Sequence, residues 1–511
     1  MKKKHLLFPA IVGTLLAIVI SVTFVSAAVE VDTSELREAV TTEGIFEHLQ
    51  KFQEFANANG DTREASSDGY EDSYKYVADK MSAAGYDVEI QPFDYPYFEE
   101  MEQATVEQTA PGSETYEYLV DFYTMSYSGS AEVTALVEAV DLMLPPAAAD
   151  NTSTSGCEAE DFDGFTPGNI ALIQRGSCNF SVKAANAETA GAGAVIIFNE
   201  GQEGRQELFG GTLGSPDFDI PVLSASYEFG LLLNDLIDDE LKLYIYTNAV
   251  SETRSTANVL AETPGGRDDR VVVVGAHLDS VPEGPGIQDN GSGSAAILEI
   301  AEAMSELGIE PRNKVRFAWW GAEESGLLGA YHYVGGLSSK ELKNIAVNLN
   351  FDMIASPNYV PFVYDGDGSA TGASGPNGSK NIESIFLEYF DEYTDVPVKP
   401  TAFDGRSDYG PFIEVGIPAG GLFTGAEEIK TEEEAAVYGG TAGEQYDPCY
   451  HLACDTIDNV NEEALDLMSD AAAHAVLTFA ETTSSVNGTD KGQGKHKIAD
   501  AMHYKGSHLK K

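Results

Sequence analysis

Arg270-Val271-Val272-Val273-Val274-Gly275-Ala276-His277-Leu278-Asp279-Ser280 decides the fold. Its apolar run has no alternation, which marks a strand covered on both faces rather than one with a wet side. Working outward, the downstream chain predicts a helix over 292–307, a strand over 314–320, another helix, a strand over 346–353, and a helix over 462–481. Upstream, Ile45, Leu49, Phe52 and Phe55, then Tyr74, Val77 and Met81, recur at helical spacing, and residues 86–93 alternate as a strand does. The loop between those two helices holds ANANGDTREASSDGYED. Strands alternating with helices predict an α/β fold, a mostly parallel mixed sheet with helices on both faces.

The chain has 511 residues and a formal net charge of −53, from 83 acidic and 30 basic side chains. A body this acidic repels phosphates and anionic headgroups, which excludes nucleic acid and anionic membrane surfaces as partners. Solubility explains the charge, and a salt-rich habitat explains it equally well. The first residues, MKKKHLLFPAIVGTLLAIVISVTFVSAAVE, show a basic start, an apolar run and the small residues Ser26-Ala27-Ala28. They predict a signal peptide over 1–28 and a secreted, extracellular protein, with an uncleaved anchor as the competing reading. Residues 486–511 form a basic tail, with six lysines and three histidines from Lys491 onward.

Four cysteines fall into two sequence-local pairs, Cys157 with Cys178 and Cys449 with Cys454. Neighbour pairing is the simplest of three connectivities in an oxidising compartment, and the spacings suit a cysteine zinc site badly. We expect two structural disulfides.

Five segments place candidate metal ligands where a strand gives way to a loop. His277 closes the valine strand, and ligands of open α/β sheets gather beyond the carboxyl ends of strands. Asp279, two residues on, is placed to take the other imidazole N–H and orient the ring. Asp289, in IQDNGSGSAAILEI, precedes a helix, where small neighbours let a carboxylate bridge two cations. Glu323 and Glu324 follow Trp319-Trp320; one suits a metal and the other a water beside it. Asp352 ends a strand of otherwise apolar residues, a costly position for an unpaired carboxylate. Tyr450 and His451 lie between the last two cysteines in YDPCYHLACDTID. Singly, each segment has a structural explanation such as an N-cap or a charged first turn; five in order are hard to attribute to chance.

Together these segments resemble the zinc aminopeptidases of peptidase family M28, the secreted leucine-type enzymes above all. The resemblance implies one Zn²⁺ held by His277, Asp289 and Asp352, and another held by Asp289, Glu324 and His451. It implies Glu323 as general base, Tyr450 as a hydrogen-bond donor to the tetrahedral intermediate, and Arg406 in FDGRSDYGPF as a substrate contact. Zinc-bound water, activated near neutral pH, would be the nucleophile; cobalt and manganese suit the same donors. Some relatives carry Ca²⁺ between the N-terminal segment and the last helix. Asp466 and Asp470 match its helical half, but Ala39 beside Glu38 departs from the acid expected there, which favours a solvated helix face.

Residues 119–250 are rich in β-branched segments, turns and glycine. A strand over 170–173, a helix over 180–190 stopped by Gly191-Ala192-Gly193, and a strand over 194–198 make up a βαβ unit. With Cys157 before the strand and the Cys178-Asn179-Phe180 turn, this stretch resembles a small, β-rich protease-associated (PA) domain. The expected organisation is then 1–28 signal peptide, 29–118 first peptidase segment, 119–252 inserted PA domain, 253–485 main peptidase segment and 486–511 tail. The expected activity is release of N-terminal residues from peptides or proteins by a monomer free of stable membrane association. The rivals are a single-zinc glutaminyl cyclase on a similar fold, a carboxypeptidase, and a non-catalytic binding protein, which would have lost ligands.

Overall fold

A computed structural model describes residues 31–486. The expected signal peptide and the basic tail beyond Val486 lie outside the described residues. Two helices open the α/β core, α1 (Thr42–Ala58) and α2 (Asp68–Ala83), each started by a hydroxyl that accepts a backbone N–H of the first turn: Thr41 from Gly44 and Ser67 from Tyr70. Then come β1 (Asp87–Ala110), β2 (Lys242–Glu262), β3 (Arg267–His277), helix α3 (Ser292–Glu306), β4 (Asn313–Trp320), β5 (Ile345–Phe351), β6 (Ala419–Phe423) and α4 (Glu462–Glu481).

The valine strand β3 lies between β4 and β5, parallel to both, and β5 is parallel to β6. Antiparallel pairs flank this centre, β2 on β4 and the short strand Phe362–Tyr364 on β6. The sheet is therefore mixed and mostly parallel at its centre. Both faces are covered, as the unbroken apolar run requires. Val272 and Val274 enter the larger core with Leu49 and Phe52 of α1, Ile297 of α3 and Val476 of α4. Val271 and Val273 face the opposite layer, among Tyr333, Phe412 and Ile417. Burying each valine contributes roughly 1.5–3 kcal/mol of transfer free energy, so the strand holds both helical layers to the sheet.

The strand expected at 86–93 is only the beginning of β1, which runs for 24 residues and pairs antiparallel with β2 over nearly its whole length. This ribbon leaves the peptidase sheet and enters a second module. Past register shifts around Glu100 and Glu102, Ala104 and Val106 pack with Ile170, Leu172, Ile196 and Leu243. Inside the module Ala131–Val140, Ile170–Gln174, Ala194–Phe198 and Val222–Ala225 lie side by side in parallel, and Phe180–Thr189 is helical. No described helix is long and apolar enough to cross a membrane.

Candidate metal centre

The sheet delivers chemistry to one edge. His277 is the last residue of β3, Asp352 follows β5, and Gly321-Ala322 lead from β4 to Glu323 and Glu324. Asp289 lies just before α3. His451 comes from a loop closed by the Cys449–Cys454 disulfide, in the left-handed backbone region at φ 57°. The second expected disulfide, Cys157–Cys178, is also formed.

Asp289 sits between two imidazoles. Its Oδ1 is 3.3 Å from His277 Nε2 and its Oδ2 is 3.2 Å from His451 Nε2. Asp352 Oδ1 is 3.3 Å from His277 Nε2, and Glu324 Oε2 is 3.1 Å from His451 Nε2. Ligand atoms ~2.0–2.1 Å from a tetrahedral Zn²⁺ stand about 3.3 Å from one another. The four imidazole–carboxylate contacts meet that spacing, and the two triads, His277–Asp289–Asp352 and Asp289–Glu324–His451, share one carboxylate.

The electrostatics fit divalent cations as well. Asp279, Asp289, Glu323, Glu324, Asp352 and Asp408 are all buried around two imidazoles. Buried carboxylates at this density need positive charge. The rings supply it as protons. Against burial, which favours the neutral ring, Glu324 and Asp289 push His451 up to about 10, and Asp352 and Glu323 hold His277 well above its ordinary value. Burial, reinforced by Glu324, Asp408 and Asp352, drives Glu323 far above the usual carboxylate range, with His277 opposing. Imidazole and carboxylate donors without a thiolate suit zinc and its first-row neighbours.

Asp279 does something other than expected. The His277 Nδ1 hydrogen-bonds the backbone oxygen of Asp279 at 3.1 Å, while the Asp279 carboxylate is 3.7 Å away. That carboxylate instead accepts the backbone N–H groups of Glu323 at 3.1 Å and Glu324 at 3.4 Å. Asp279 thus fixes the ring through its main chain and both glutamates through its side chain.

Tyr450 stacks on the His451 ring at 3.8 Å between centroids. Its hydroxyl accepts a hydrogen bond from Arg406 Nη2 at 3.1 Å, and Arg406 also grips Glu427 through both terminal nitrogens. Ser407 donates to Asp352 Oδ2. A cavity of about 70 Å³ opens onto the two triads, walled by Glu323, Arg406, Tyr450, Tyr364 and Phe423. In the segment expected to resemble a calcium site, Arg37 Nη1 sits 3.2 Å from Asp470 Oδ2 and Thr42 donates to Asp466. A guanidinium already provides positive charge there.

Three functional neighbours escape a reading of the sequence. Arg63 is fully buried, and its guanidinium donates to the carbonyls of Leu278, Pro285 and Gly286, stitching down the loop that joins His277 to Asp289. Burial lowers its pKa to about 10. It lies in the inter-helix loop, more than 200 residues from those partners, and no local pattern announces it. Asp455 accepts the N–H groups of Gln288 at 2.9 Å and Asp289 at 3.0 Å; its place directly after Cys454 was the available signal. Asp408 has both carboxylate oxygens buried without a hydrogen-bond partner among the described residues, and it neighbours Arg406 in FDGRSDYGPF.

Paired carboxylate–imidazole sets at the carboxyl edge of an open α/β sheet, with one more buried glutamate facing the cavity, define a metal-dependent hydrolase centre. Comparison with known proteins makes this specific. Residues 258–476 match the model of peptidase family M28, and residues 138–233 match the PA domain. An aminopeptidase of Pseudomonas aeruginosa is 48% identical over 454 residues, 88% of this chain and 83% of that protein. A probable leucine aminopeptidase 2 of Aspergillus oryzae is 40% identical, covering 92% of this chain and 91% of its own. Among solved structures, the aminopeptidase from an Aneurinibacillus species superposes with a TM-score of 0.62 at 26% identity, over 87% of this chain and 95% of that one. A zinc aminopeptidase from Bacillus subtilis superposes with a TM-score of 0.53 at 25% identity, over 86% of this chain and 94% of its own. The chain belongs to peptidase family M28, as one of its aminopeptidases, and carries a PA domain.

Proposed function

We propose that this protein is a secreted, monomeric aminopeptidase with two Zn²⁺ ions, in which Glu323 is the general base. The ligand spacing carries the reading: two triads of 3.1–3.3 Å contacts joined through Asp289. One Zn²⁺ would be held by His277, Asp289 and Asp352, and the other by Asp289, Glu324 and His451. Bound there, the metals supply Lewis acidity to the scissile carbonyl and bring the pKa of a ligated water to roughly 7.

The chain's own residues do the rest. Glu323 takes the proton of the attacking water and returns it to the departing amine. Asp279 keeps Glu323 aimed by holding its backbone N–H. Because Arg406 already donates to the Tyr450 oxygen, the Tyr450 hydroxyl keeps its own proton to donate toward the developing oxyanion. Burial first, then Asp289, raises the Tyr450 pKa far above its ordinary value, and the phenol stays a neutral donor. Arg406, lining the same cavity, also meets the substrate. The carboxylates around the cavity provide negative charge for the substrate's free α-amine.

The disulfides, and the leader expected over 1–28, support export. The segmentation 29–118, 119–252 and 253–485 belongs to the same reading, and the position of the PA match supports it. Calcium is not part of it, since Arg37 occupies Asp470.

The test is Glu323→Gln. We expect two zinc ions per chain to remain while kcat on leucine anilide falls by roughly 10³- to 10⁵-fold. Full activity in that variant, or zinc stoichiometry near one with cyclisation of N-terminal glutamine, contradicts the proposal.

A further inference from the structure

A second cavity, of about 170 Å³, begins where the first ends: Glu324 lines both. One wall is the loop that follows His277, through Val281 and Glu283. The opposite wall belongs to the ribbon and the PA module, through Tyr97, Phe98, Glu99 and Glu100 of β1 and Tyr123. The first cavity is walled by Tyr364 and Phe423 and has room for little more than one side chain. An exopeptidase that seats the first residue there must let the rest of the substrate leave on another side, and the second cavity supplies that side.

Its chemistry is one-signed. Glu99, Glu100 and Glu283 line it, with no lysine or arginine among the described lining residues. Neutral hydroxyls orient two of these carboxylates: Tyr97 donates to Glu99, and Tyr118 and Thr124 donate to Glu100. A hydroxyl aims a carboxylate without cancelling its charge. The nearby Arg254 is held by Glu252, at 2.7 Å, and by Glu64, at 3.7 Å, and its guanidinium lies over the Tyr97 ring at 3.4 Å from the centroid, so one cation already sits at that end of the wall. Phe98 and Tyr123 add aromatic surface suited to the methylene stem and the charge of a basic side chain, as the Tyr97 ring already does for Arg254.

We propose that this cleft, built jointly by the peptidase sheet and the PA module, receives the part of the substrate beyond the scissile bond and selects peptides with lysine or arginine in the first positions after it. The proposal rests on the aminopeptidase reading above and deepens it. Glu99, Glu100 and Glu283 are specificity determinants that touch neither metal nor the reacting atoms.

The experiment compares kcat/KM on Leu-Lys-Ala, Leu-Gln-Ala, Leu-Glu-Ala and leucine p-nitroanilide, whose leaving group carries no charged side chain. The unmodified enzyme should prefer lysine over glutamate by about tenfold at low salt, and less at high salt. The triple variant Glu99→Gln, Glu100→Gln, Glu283→Gln should bring that ratio near one with anilide turnover unchanged. Glu283→Gln alone, at an exposed position that tolerates substitution, should lower it partway. Anilide turnover with equal rates on all three peptides overturns the cleft alone, as does a lysine preference that survives the triple variant. Lack of turnover on the anilide by the unmodified enzyme contradicts the aminopeptidase reading instead.

Discussion

Among the described residues, two regions place an imidazole between carboxylates, and we assign metal to only one of them. At the catalytic edge, His277 and His451 each face two carboxylate oxygens at 3.1–3.3 Å. Across the core, His48 of α1 faces Glu299 at 3.5 Å and Glu302 at 3.2 Å, both on α3. Spacing alone barely separates them. Charge does: Lys80 sits 2.8 Å from Glu302, both glutamates are partly exposed, and Tyr76 is hydrogen-bonded to the other ring nitrogen. One proton on His48 and one lysine balance that cluster. At the catalytic edge the buried acids far outnumber the nearby cations, a deficit that bound divalent metal would offset without protonating the ligands. Counting charge over the surrounding shell is therefore a sharper criterion for a metal site than distance.

The largest effect expected from that contrast is at the shared carboxylate. Asp289→Ala should abolish measurable turnover and reduce bound zinc from two per chain toward none, since both triads lose a member; retention of two zinc ions, by elemental analysis of the folded protein, breaks the comparison. Next is Arg63→Met. Removing the guanidinium leaves three buried carbonyls without their donor and frees the loop between two ligands, so we expect a loss of about 3 kcal/mol in stability and zinc affinity weaker by 10- to 100-fold. Denaturant melts and a zinc competition titration measure the two effects, and unchanged zinc affinity would show that the loop holds itself.

His48→Phe sharpens the contrast from the other side. We expect zinc content and kcat to be unchanged, with about 2 kcal/mol of stability lost because Glu299 and Glu302 then face each other without the imidazolium. Burial disfavours charge on His48, but Glu299 and Glu302 win and its pKa is raised. A histidine whose folded pKa exceeds its unfolded value contributes stability that is fully present below about pH 6.5 and fades as pH rises through the folded value. The gap between the unmodified protein and His48→Phe should therefore narrow from about pH 6.5 upward; a gap that widens means the ring is neutral in the folded state. The smallest effect is global. Added salt should raise the melting temperature by a few degrees as it screens the acidic surface. A flat or falling curve removes self-repulsion from the account.

What could be seen in the sequence follows from range. The valine strand, its helices and the five ligand segments are legible because burial on two faces and the turn from strand to loop leave marks within a dozen residues. Arg63, Asp408 and Asp455 are not legible as partners, because each acts on groups brought near only by folding. The second half of β1 was missed for a related reason. Pro96 and three consecutive-turn acids, Glu99, Glu100 and Glu102, disguise a strand whose outer edge pairs only briefly, where proline and charge are tolerated. Two of those acids, Glu99 and Glu100, line the cleft between the modules, so residues that hid the strand also contribute to the charge of the cleft. Asp279 was placed correctly beside His277, but a side-chain role was expected where the main chain performs it.

In the proposed centre Asp289 joins two metal ions. Anomalous diffraction at the zinc edge from zinc-replete crystals tests it most directly. We expect two peaks flanking the Asp289 carboxylate and none beside His48. A carboxylate turned away from a single peak, or from none, would contradict it.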